Sequence, residues 1–431
     1  METGISILLG LIQFIIIIYI IIFELRKKSP AVFLWATLGI MFGIMHLLTV
    51  FVVMDIYNNE IYIDASLFTI GFSLLYILGR KIFIFTNKLE LNLLHVWNDI
   101  TNIDAKILKI LSFIFCVSPI VLSLNIIMYS GNIIDSSWST FRGYTLSQDY
   151  VNLSQILTIL FFSLGAIWIF WLKKRKYITS TIIILLISFS VIISRNRILI
   201  LPLLVTFIVG KILDNKKIKI KFIMKSSILA LVSIYIVYAL RVFRHNGSIA
   251  TFLDNMSVIS FIEQINEYLI TDNGELGLRR VFYYFIANDN NFNGFSEGAT
   301  YIRMMLVYFP SQFSFGLKPD DFAITMGKAI GMGYGGSVHP TLLGDCYANL
   351  GFLGIFLGIF WAFYANFFDY ILVRIKSSEF VLLSYSLMSV SYVIIARGSV
   401  YNGFFFLAWG LPLLYFIKKL VYFILNSKVK I

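Results

Sequence analysis

Charged residues are scarce in this sequence. Asp, Glu, Lys and Arg make up 13% of the 431 residues, whereas hydrophobic residues make up 59%, and the mean hydropathy is +0.85. A soluble domain carries roughly 25% charged residues, so this composition excludes a chain that is solvated on all sides. The length therefore corresponds to a series of membrane spans and not to several soluble domains. The sequence predicts a single integral membrane domain over residues 1–431.

Motifs of soluble enzymes are also missing from the sequence. The two cysteines, Cys116 and Cys346, are far apart and offer neither a metal-ligand spacing nor a disulfide framework. There is no Walker-type loop, no dinucleotide glycine fingerprint and no Cys/His metal cluster. ATP-driven transport therefore lacks its machinery, and we predict neither a metal site nor a cofactor.

Long runs of apolar residues dominate the sequence. A membrane-spanning helix needs about 20 apolar residues, and the runs predict an all-α, polytopic protein with about 11 transmembrane helices. One large external loop, residues 241–344, joins helices 8 and 9, and a smaller one covers residues 130–150. Within the large loop, Tyr301–Phe309 is apolar but short, which indicates a membrane-surface or re-entrant segment. The predicted spans are Ile5–Phe23, Ala31–Val53, Ala65–Gly79, Ile107–Tyr129, Val151–Leu172, Tyr177–Ile193, Ile198–Leu213, Ser226–Leu240, Leu350–Val373, Phe380–Ala396 and Gly403–Ile417.

The basic residues are divided unevenly between the two sets of connections. Of 35 Lys and Arg residues, 24 fall in the set that includes Arg26 and the carboxyl-terminal tail. The positive-inside rule places that set in the cytoplasm, with the amino terminus outside and the carboxyl terminus inside. The net charge of +12 then reflects topology and lipid-headgroup contact, so no nucleic-acid partner is needed.

The two sides also differ in the kind of base. Inside, 20 of the 24 are lysine, whereas nine of the 11 outside are arginine. Arginine presents a planar, permanently charged fork that suits bidentate binding of phosphate or carboxylate. The alternative is that these arginines pair with external carboxylates and lipid phosphates. The nine are Arg142, Arg195, Arg197, Arg241, Arg244, Arg279, Arg280, Arg303 and Arg397.

Five of these arginines lie next to predicted spans. Arg195 and Arg197 occupy a very short turn, where a guanidinium is costly unless an anion compensates it. Arg241 and Arg244 are three residues apart, so one helical face would present both to a phosphate. Arg397 stands in another short external turn. Snorkelling to headgroups and an ordinary flanking role remain the alternatives.

The glycine-rich segment Gly331–Gly354 contains a candidate base, His339. Histidine is the side chain best suited to exchange a proton near neutral pH, and Asp345 follows about one and a half turns later if the segment is helical. Among the four histidines, His245 and His339 lie outside among polar neighbours, whereas His46 falls within a predicted span. A structural role for a lone histidine remains open.

With these residues in view, the chain resembles the Wzy-type O-antigen and capsule repeat-unit polymerases. Its eleven or so spans with a large late external loop are similar to that family's topology. Residues 339–354, which begin HPT and end GFLG, are similar to the family's carboxyl-terminal loop-to-helix junction. Ser194-Arg195 followed by Leu199 resembles an arginine-x3-leucine element of the related polymerases and ligases.

The resemblance implies a GT-C-like membrane glycosyltransferase that uses no nucleotide sugar. The growing glycan on undecaprenyl diphosphate would be transferred to an incoming lipid-linked unit at the periplasmic face of the bacterial inner membrane. The implied partners are the lipid-linked oligosaccharide, membrane lipid and a chain-length regulator of the Wzz type.

These implications give the candidate residues their expected roles. His339 would deprotonate the acceptor hydroxyl, with Asp345 orienting it or serving instead. The diphosphates would be bound by Arg195, Arg197, Arg241, Arg244 and Arg397. Candidates for glycan binding are Arg142, Tyr144, Arg279, Arg280 and Arg303.

Two alternative functions remain open. An O-antigen ligase, which moves finished glycan to a lipid A core, carries a related histidine element, so the motifs do not separate it from a polymerase. A lipid-linked oligosaccharide flippase or other transporter should show paired halves and charged residues near the bilayer midplane. The predicted spans are almost free of charge, which disfavours transport.

Overall fold

The computed structural model is helical throughout its described part. It describes residues 2–52, 57–86, 89–131, 151–214, 220–245, 251–252, 254, 257–270, 276–290, 297–309, 313–329 and 338–427. Across these ranges there is no β-strand, which confirms the all-α class. Nine helices within them are long and apolar enough to cross a membrane, so the chain is a multi-pass membrane protein. Helices are expected, because the hydrocarbon core of a bilayer contains no water that could bond to the backbone N–H and C=O groups. A helix pairs these groups within itself.

The helices are numbered here in chain order. In the first half of the chain they are α1 (Glu2–Lys27), α2 (Val32–Leu38), α3 (Met45–Val52), α4 (Asn59–Ile82), α5 (Leu89–Asp99), α6 (Ala105–Ser130), α7 (Val151–Lys173), α8 (Tyr177–Ser194) and α9 (Leu201–Asp214). In the second half they are α10 (Ile220–His245), α11 (Val258–Ile270), α12 (Arg279–Ala287), α13 (Ala299–Met305), α14 (Phe322–Ala329), α15 (Thr341–Leu350), α16 (Leu357–Arg374), α17 (Ser378–Arg397) and α18 (Val400–Ser427).

Three predicted spans differ in detail from the helices observed. The run Ile198–Leu213 is a short 3-10 turn followed by the 14-residue α9, which is shorter than a crossing helix. The run Ser226–Leu240 lies inside the 26-residue α10. The span predicted to begin at Leu350 belongs to a longer helical run, Thr341–Arg374, which begins two residues after His339 and includes Asp345.

The chain forms two compact units, each with its own core. The long helices α17 and α18 contribute residues to both. Unit 1 comprises Met1–Leu91, Glu275–Arg374 and Ser391–Trp409, and unit 2 comprises Asn92–Gly274, Ile375–Val390 and Gly410–Ile431.

In unit 1, α16 packs closely along α4. At Gly358 of α16 there is no room for a Cβ atom beside the carbonyl oxygen of Phe72. Small residues at such crossings let two helix backbones approach within a bilayer. Buried aromatic rings fill the space around the contact, and the rings of Trp35 and Tyr76 meet edge to face with centroids 4.8 Å apart.

A buried ion-pair network joins three helices of unit 1. Arg80 of α4 is fully buried and donates from Nε and Nη2 to the carboxylate of Glu24 on α1, at 2.8 and 2.6 Å. Nη2 also donates to Asp369 of α16 at 2.8 Å, and Nη1 donates to the amide oxygen of Asn366 at 2.6 Å. Tyr76 completes the network with a 2.9 Å bond to Glu24.

This network changes the interpretation of Arg80. Arg80 directly follows the predicted span Ala65–Gly79, and the sequence places it among the basic residues expected on the cytoplasmic side. Its guanidinium instead lies inside the protein, because Glu24 and Asp369 supply the counter-charge that lipid headgroups would otherwise supply. The neighbouring Lys81 is exposed.

The helices of unit 2 are also joined by close packing at a glycine and by hydrogen bonds between side chains. Gly165 of α7 leaves no room for a Cβ atom beside the carbonyl oxygen of Pro202 at the start of α9. Interhelical hydrogen bonds between side chains accompany the close packing, among them a 2.8 Å bond between Ser123 and Ser190. Within a membrane protein such bonds help decide which helices pair.

We expect Arg80→Ala to destabilise the protein by about 3–5 kcal/mol, because the substitution leaves two buried carboxylates without a counter-charge. Thermal unfolding of the detergent-purified protein measures the effect. Lys81→Ala, on the exposed side of the same helix, is the matched control and should change stability by less than about 0.5 kcal/mol. Equal melting temperatures for the two variants would contradict the structural role of the network.

Candidate functional site

The turn that carries Arg195 is built by two capping interactions. Arg195 ends α8 in the left-handed conformation, with φ of 50°, and its backbone N–H donates to the carbonyl of Val191 at 2.8 Å. The side chain of Asn196 then accepts from the N–H of Ile198 at 3.1 Å and begins the 3-10 turn Arg197–Ile200. A left-handed residue other than glycine costs roughly 1 kcal/mol, so this turn holds Arg195 in a strained conformation.

The side chain of Arg195 lies against the end of α10. It is 2% exposed, its guanidinium lies 4.6 Å from the ring centre of Phe243, and Nη1 donates to the Phe243 carbonyl at 3.3 Å. Burial lowers the pKa of Arg195 from its usual value. Because Phe243 stands between Arg241 and Arg244 in sequence, unit 2 brings the predicted arginine turn next to the predicted arginine pair.

Arg241 is held by an aromatic ring as well. Its guanidinium lies 5.0 Å from the ring centre of Tyr268 on α11. The Nε atom is buried and has no hydrogen-bond partner among the described residues. Arg197 and Arg244 are half-buried. We call the four arginines of this part of unit 2 the arginine cluster. Guanidinium groups of this kind suit an anion with several oxygens.

Unit 1 brings His339 next to the turn that follows α17. A Cβ atom placed on Gly398 would lie 3.7 Å from both Cγ and Nδ1 of the His339 ring. Gly398 directly follows Arg397, so the predicted base and one predicted diphosphate ligand share a neighbourhood. Both side chains are half-buried.

The backbone just after His339 is strained. Thr341 has φ of 65°, which is a left-handed conformation that β-branched residues rarely adopt. Its hydroxyl accepts from the N–H of Gly344 at 3.3 Å and so satisfies one donor at the start of α15. Strain of this kind tends to occur at functional sites, and here it lies two residues from the candidate base.

Asp345 lies inside unit 1. It is 1% exposed, and its two oxygens accept from the Thr300 hydroxyl at 3.0 Å and from the Asn349 side-chain amide at 3.1 Å. Among the described residues it makes no hydrogen bond to His339. The carboxylate therefore links α13 to α15, the helix that begins two residues after His339.

The candidates for glycan binding are dispersed. Arg279 is 1% exposed and donates to the Thr49 hydroxyl at 2.7 Å, which makes it part of the unit 1 interior. Arg280 is half-buried, and Arg303 lies 4.4 Å from the ring centre of Tyr401. Arg142 and Tyr144 fall outside the described residues.

Two further ionisable groups lie in unit 1. His46, expected inside a span, is confirmed as buried, and its ring nitrogens lie 2.6 Å from the Tyr283 hydroxyl and 2.8 Å from the Ser66 hydroxyl. Sequence reasoning missed Lys318, which lies close to Arg303. The available signal was that Lys318 is one of two lysines in the otherwise arginine-rich external set.

Within the described ranges, no group of three or more His, Cys, Asp and Glu residues could hold a metal ion.

Comparison of the chain with known proteins gives no match. No family model, no curated protein and no solved structure matches the chain.

We expect Arg195→Gly to be more stable than Arg195→Ala by about 1 kcal/mol, because glycine adopts the left-handed conformation without a steric penalty. Thermal or denaturant unfolding of the two variants measures the difference. The matched pair at Arg197, which lies in a 3-10 turn, should give the opposite order, since alanine is the better helix former. The same order at both positions would show that Arg195 is not strained.

Proposed function

We propose that this protein polymerises undecaprenyl-diphosphate-linked oligosaccharide repeat units of O-antigen or a similar surface polysaccharide. It is a GT-C-like glycosyltransferase of the bacterial inner membrane and works at the periplasmic face. The observation that carries the proposal is the arginine cluster of unit 2, because a polymerase of this kind must bind lipid diphosphates at the membrane surface. Family resemblance in the two segments that begin at Ser194 and His339 supports it.

The reaction joins two lipid-linked glycans. A hydroxyl oxygen of the incoming unit attacks the anomeric carbon of the growing glycan, and the bond from that carbon to the diphosphate oxygen breaks. The proton of the hydroxyl passes to a base, and undecaprenyl diphosphate leaves with the bonding electron pair. Negative charge therefore develops on the leaving diphosphate, and fixed cations that face it lower the barrier.

The arginines supply those cations. Arg195 and Arg241 each lie against an aromatic ring, which helps to hold the guanidinium plane. A guanidinium can bind phosphate oxygens through two N–H groups at once. Arg197 and Arg244 add to the positive potential of the same cluster, and Arg397 has the corresponding role in unit 1.

His339 is the proposed base. It is half-buried beside the turn that carries Arg397, and an imidazole is suited to accept a proton near neutral pH. Asp345 acts as a positioning residue, because its bonds to Thr300 and Asn349 hold the first turns of α15 behind His339.

The position of the buried charges favours an enzyme over a transporter. Glu24, Arg80 and Asp369 lie in the last turns of their helices, so they belong near a membrane face. Coupled transporters place such groups near the bilayer midplane, at the substrate site.

In a strain that lacks this protein, we expect lipid-linked glycan capped with a single repeat unit, because units are made and exported but not joined. A plasmid with the wild-type chain should restore the ladder of polymer lengths on a gel of extracted glycan. His339→Ala should reduce polymer formation by about 10²–10⁴-fold, the usual contribution of a general base. His95→Ala, at an exposed histidine of α5, is the control and should restore the full ladder.

The alternatives give other outcomes in the same strain. Long undecaprenyl-linked chains would identify a ligase, and single units trapped in the cytoplasm would identify a flippase. A full ladder from His339→Ala would remove His339 from the chemistry.

Lysine substitutions test the diphosphate ligands. Each of Arg195→Lys, Arg197→Lys, Arg241→Lys, Arg244→Lys and Arg397→Lys keeps the charge but loses the bidentate fork, so we expect activity to fall about tenfold or more in several of them. The glycan ladder is compared at equal protein levels in membranes. Arg175→Lys, at an exposed position outside these clusters, should leave the ladder unchanged. Wild-type ladders from all five variants would eliminate the arginine hypothesis.

A further inference from the structure

Unit 1 exposes large apolar side chains around α13. Met305 is 81% exposed and Phe315 is 92% exposed, which is unusual for side chains in water. They belong to two stretches, residues 302–309 and 313–317, that present an apolar surface. The other members of this surface are Ile302, Tyr308, Phe309, Phe313 and Leu317.

One end of the apolar surface packs against α18. The Tyr308 hydroxyl donates to the carbonyl of Ala408 at 2.8 Å, and the indole N–H of Trp409 donates to the carbonyl of Val307 at 3.3 Å. The rings of Tyr308 and Trp409 meet edge to face, with centroids 5.2 Å apart. The surface is therefore attached to a candidate membrane span about two turns after its first residue.

Two cations mark the other end. The Arg303 guanidinium lies 4.4 Å, and the Lys318 ammonium 5.7 Å, from the ring centre of Tyr401. Lys318 donates to the carbonyl of Phe309 at 2.7 Å, and Arg303 donates to the carbonyl of Pro319. Among the described residues neither cation forms an ion pair with a carboxylate, and Nε of Arg303 is buried without a hydrogen-bond partner. Burial and the nearby Arg303 lower the pKa of Lys318, which an anion between the two cations would reverse.

The two ends differ in depth along α18. Tyr401 is the second residue of this helix and Trp409 follows eight residues later, which is about 12 Å along the axis. A span of 28 residues is about 42 Å long and covers the hydrocarbon core together with both headgroup layers. Tyr401 therefore lies at headgroup depth, and Trp409 lies among the acyl chains.

We propose that the surface formed by residues 302–309 and 313–317 inserts into one leaflet of the bilayer and that Arg303 and Lys318 together bind the phosphate of an anionic phospholipid. The apolar side chains replace water by acyl chains, and the cations meet the phosphate at its own depth. This lipid site is independent of the proposed polymerase reaction. It gives Arg303 a lipid ligand in place of the glycan expected from sequence.

The phosphate contact is tested with the full-length protein in detergent, titrated with phosphatidylglycerol and followed by native mass spectrometry. Arg303→Gln/Lys318→Gln should weaken phosphatidylglycerol binding by about tenfold or more, since charge-assisted bonds to two cations are lost. Arg303→Lys keeps the charge but loses the bidentate fork, so its binding should lie between that of the wild type and that of the double variant. Lys328→Gln is the matched control, because Lys328 is exposed and lies 3.6 Å from Asp320, and it should bind like the wild type.

Insertion is tested separately with bimane attached at Phe315→Cys in a Cys116→Ser background. The remaining Cys346 is buried, so we expect the probe not to label it. In vesicles containing phosphatidylglycerol, a lipid with a doxyl group on its acyl chain should quench the probe, and aqueous iodide should not. A probe at Asp320→Cys, an exposed charged position, should show the opposite pattern.

Three results would overturn the proposal. The first is unchanged phosphatidylglycerol binding by Arg303→Gln/Lys318→Gln, and the second is iodide quenching at Phe315→Cys that equals the quenching at Asp320→Cys. The third is binding of inorganic phosphate that is as tight as that of phosphatidylglycerol, which would assign the cations to a free anion. None of these measurements depends on glycan synthesis, so they can fail while the polymerase proposal stands, and the reverse.

Discussion

The bonds between one buried guanidinium and two carboxylates determine how unit 1 is assembled. Arg80 binds Glu24 of α1 and Asp369 of α16, so three membrane-length helices meet at one point. Between helices in lipid the hydrophobic effect gives little preference for one partner over another, because acyl chains are as apolar as leucine. Burying each ion costs several kcal/mol, and the network offsets that cost only when all its bonds are made. Such a network is formed in one helix arrangement and is lost in others.

Much of the helical fold follows from composition alone, whereas this network does not. An apolar run in a bilayer must become helix, so α1, α6 and α8 were predictable from a local property. Arg80 looked like a cytoplasmic flanking residue, because its partners lie 56 and 289 residues away in the chain. The helix around Asp345 begins nine residues before the predicted span at Leu350, a difference that arises because that segment carries glycine and polar residues. Its carboxylate is accommodated by Thr300, from a different helix, which a linear pattern does not reveal.

The candidate site divides in the same way into local and distant features. The short turn with Arg195 and Arg197 was visible in the sequence, since two apolar runs leave no room for a longer connection. Its position against Phe243 was not, because that contact joins residues 48 apart. The conformational strain at Arg195 and Thr341 was also invisible, since neither residue type indicates a positive φ. Backbone conformation and long-range contact are the two properties that required the structure.

Two different environments hold arginines within the described part of this protein. The charge of Arg80 is balanced inside the protein by the carboxylates of Glu24 and Asp369. Arg195, Arg241 and Arg303 are each stacked on an aromatic ring. A ring stabilises the guanidinium plane but carries no net charge, so it leaves the positive charge of the arginine uncancelled. Stacking on a ring therefore positions an arginine without cancelling its charge, whereas a carboxylate partner would compete with a phosphate for the same N–H groups.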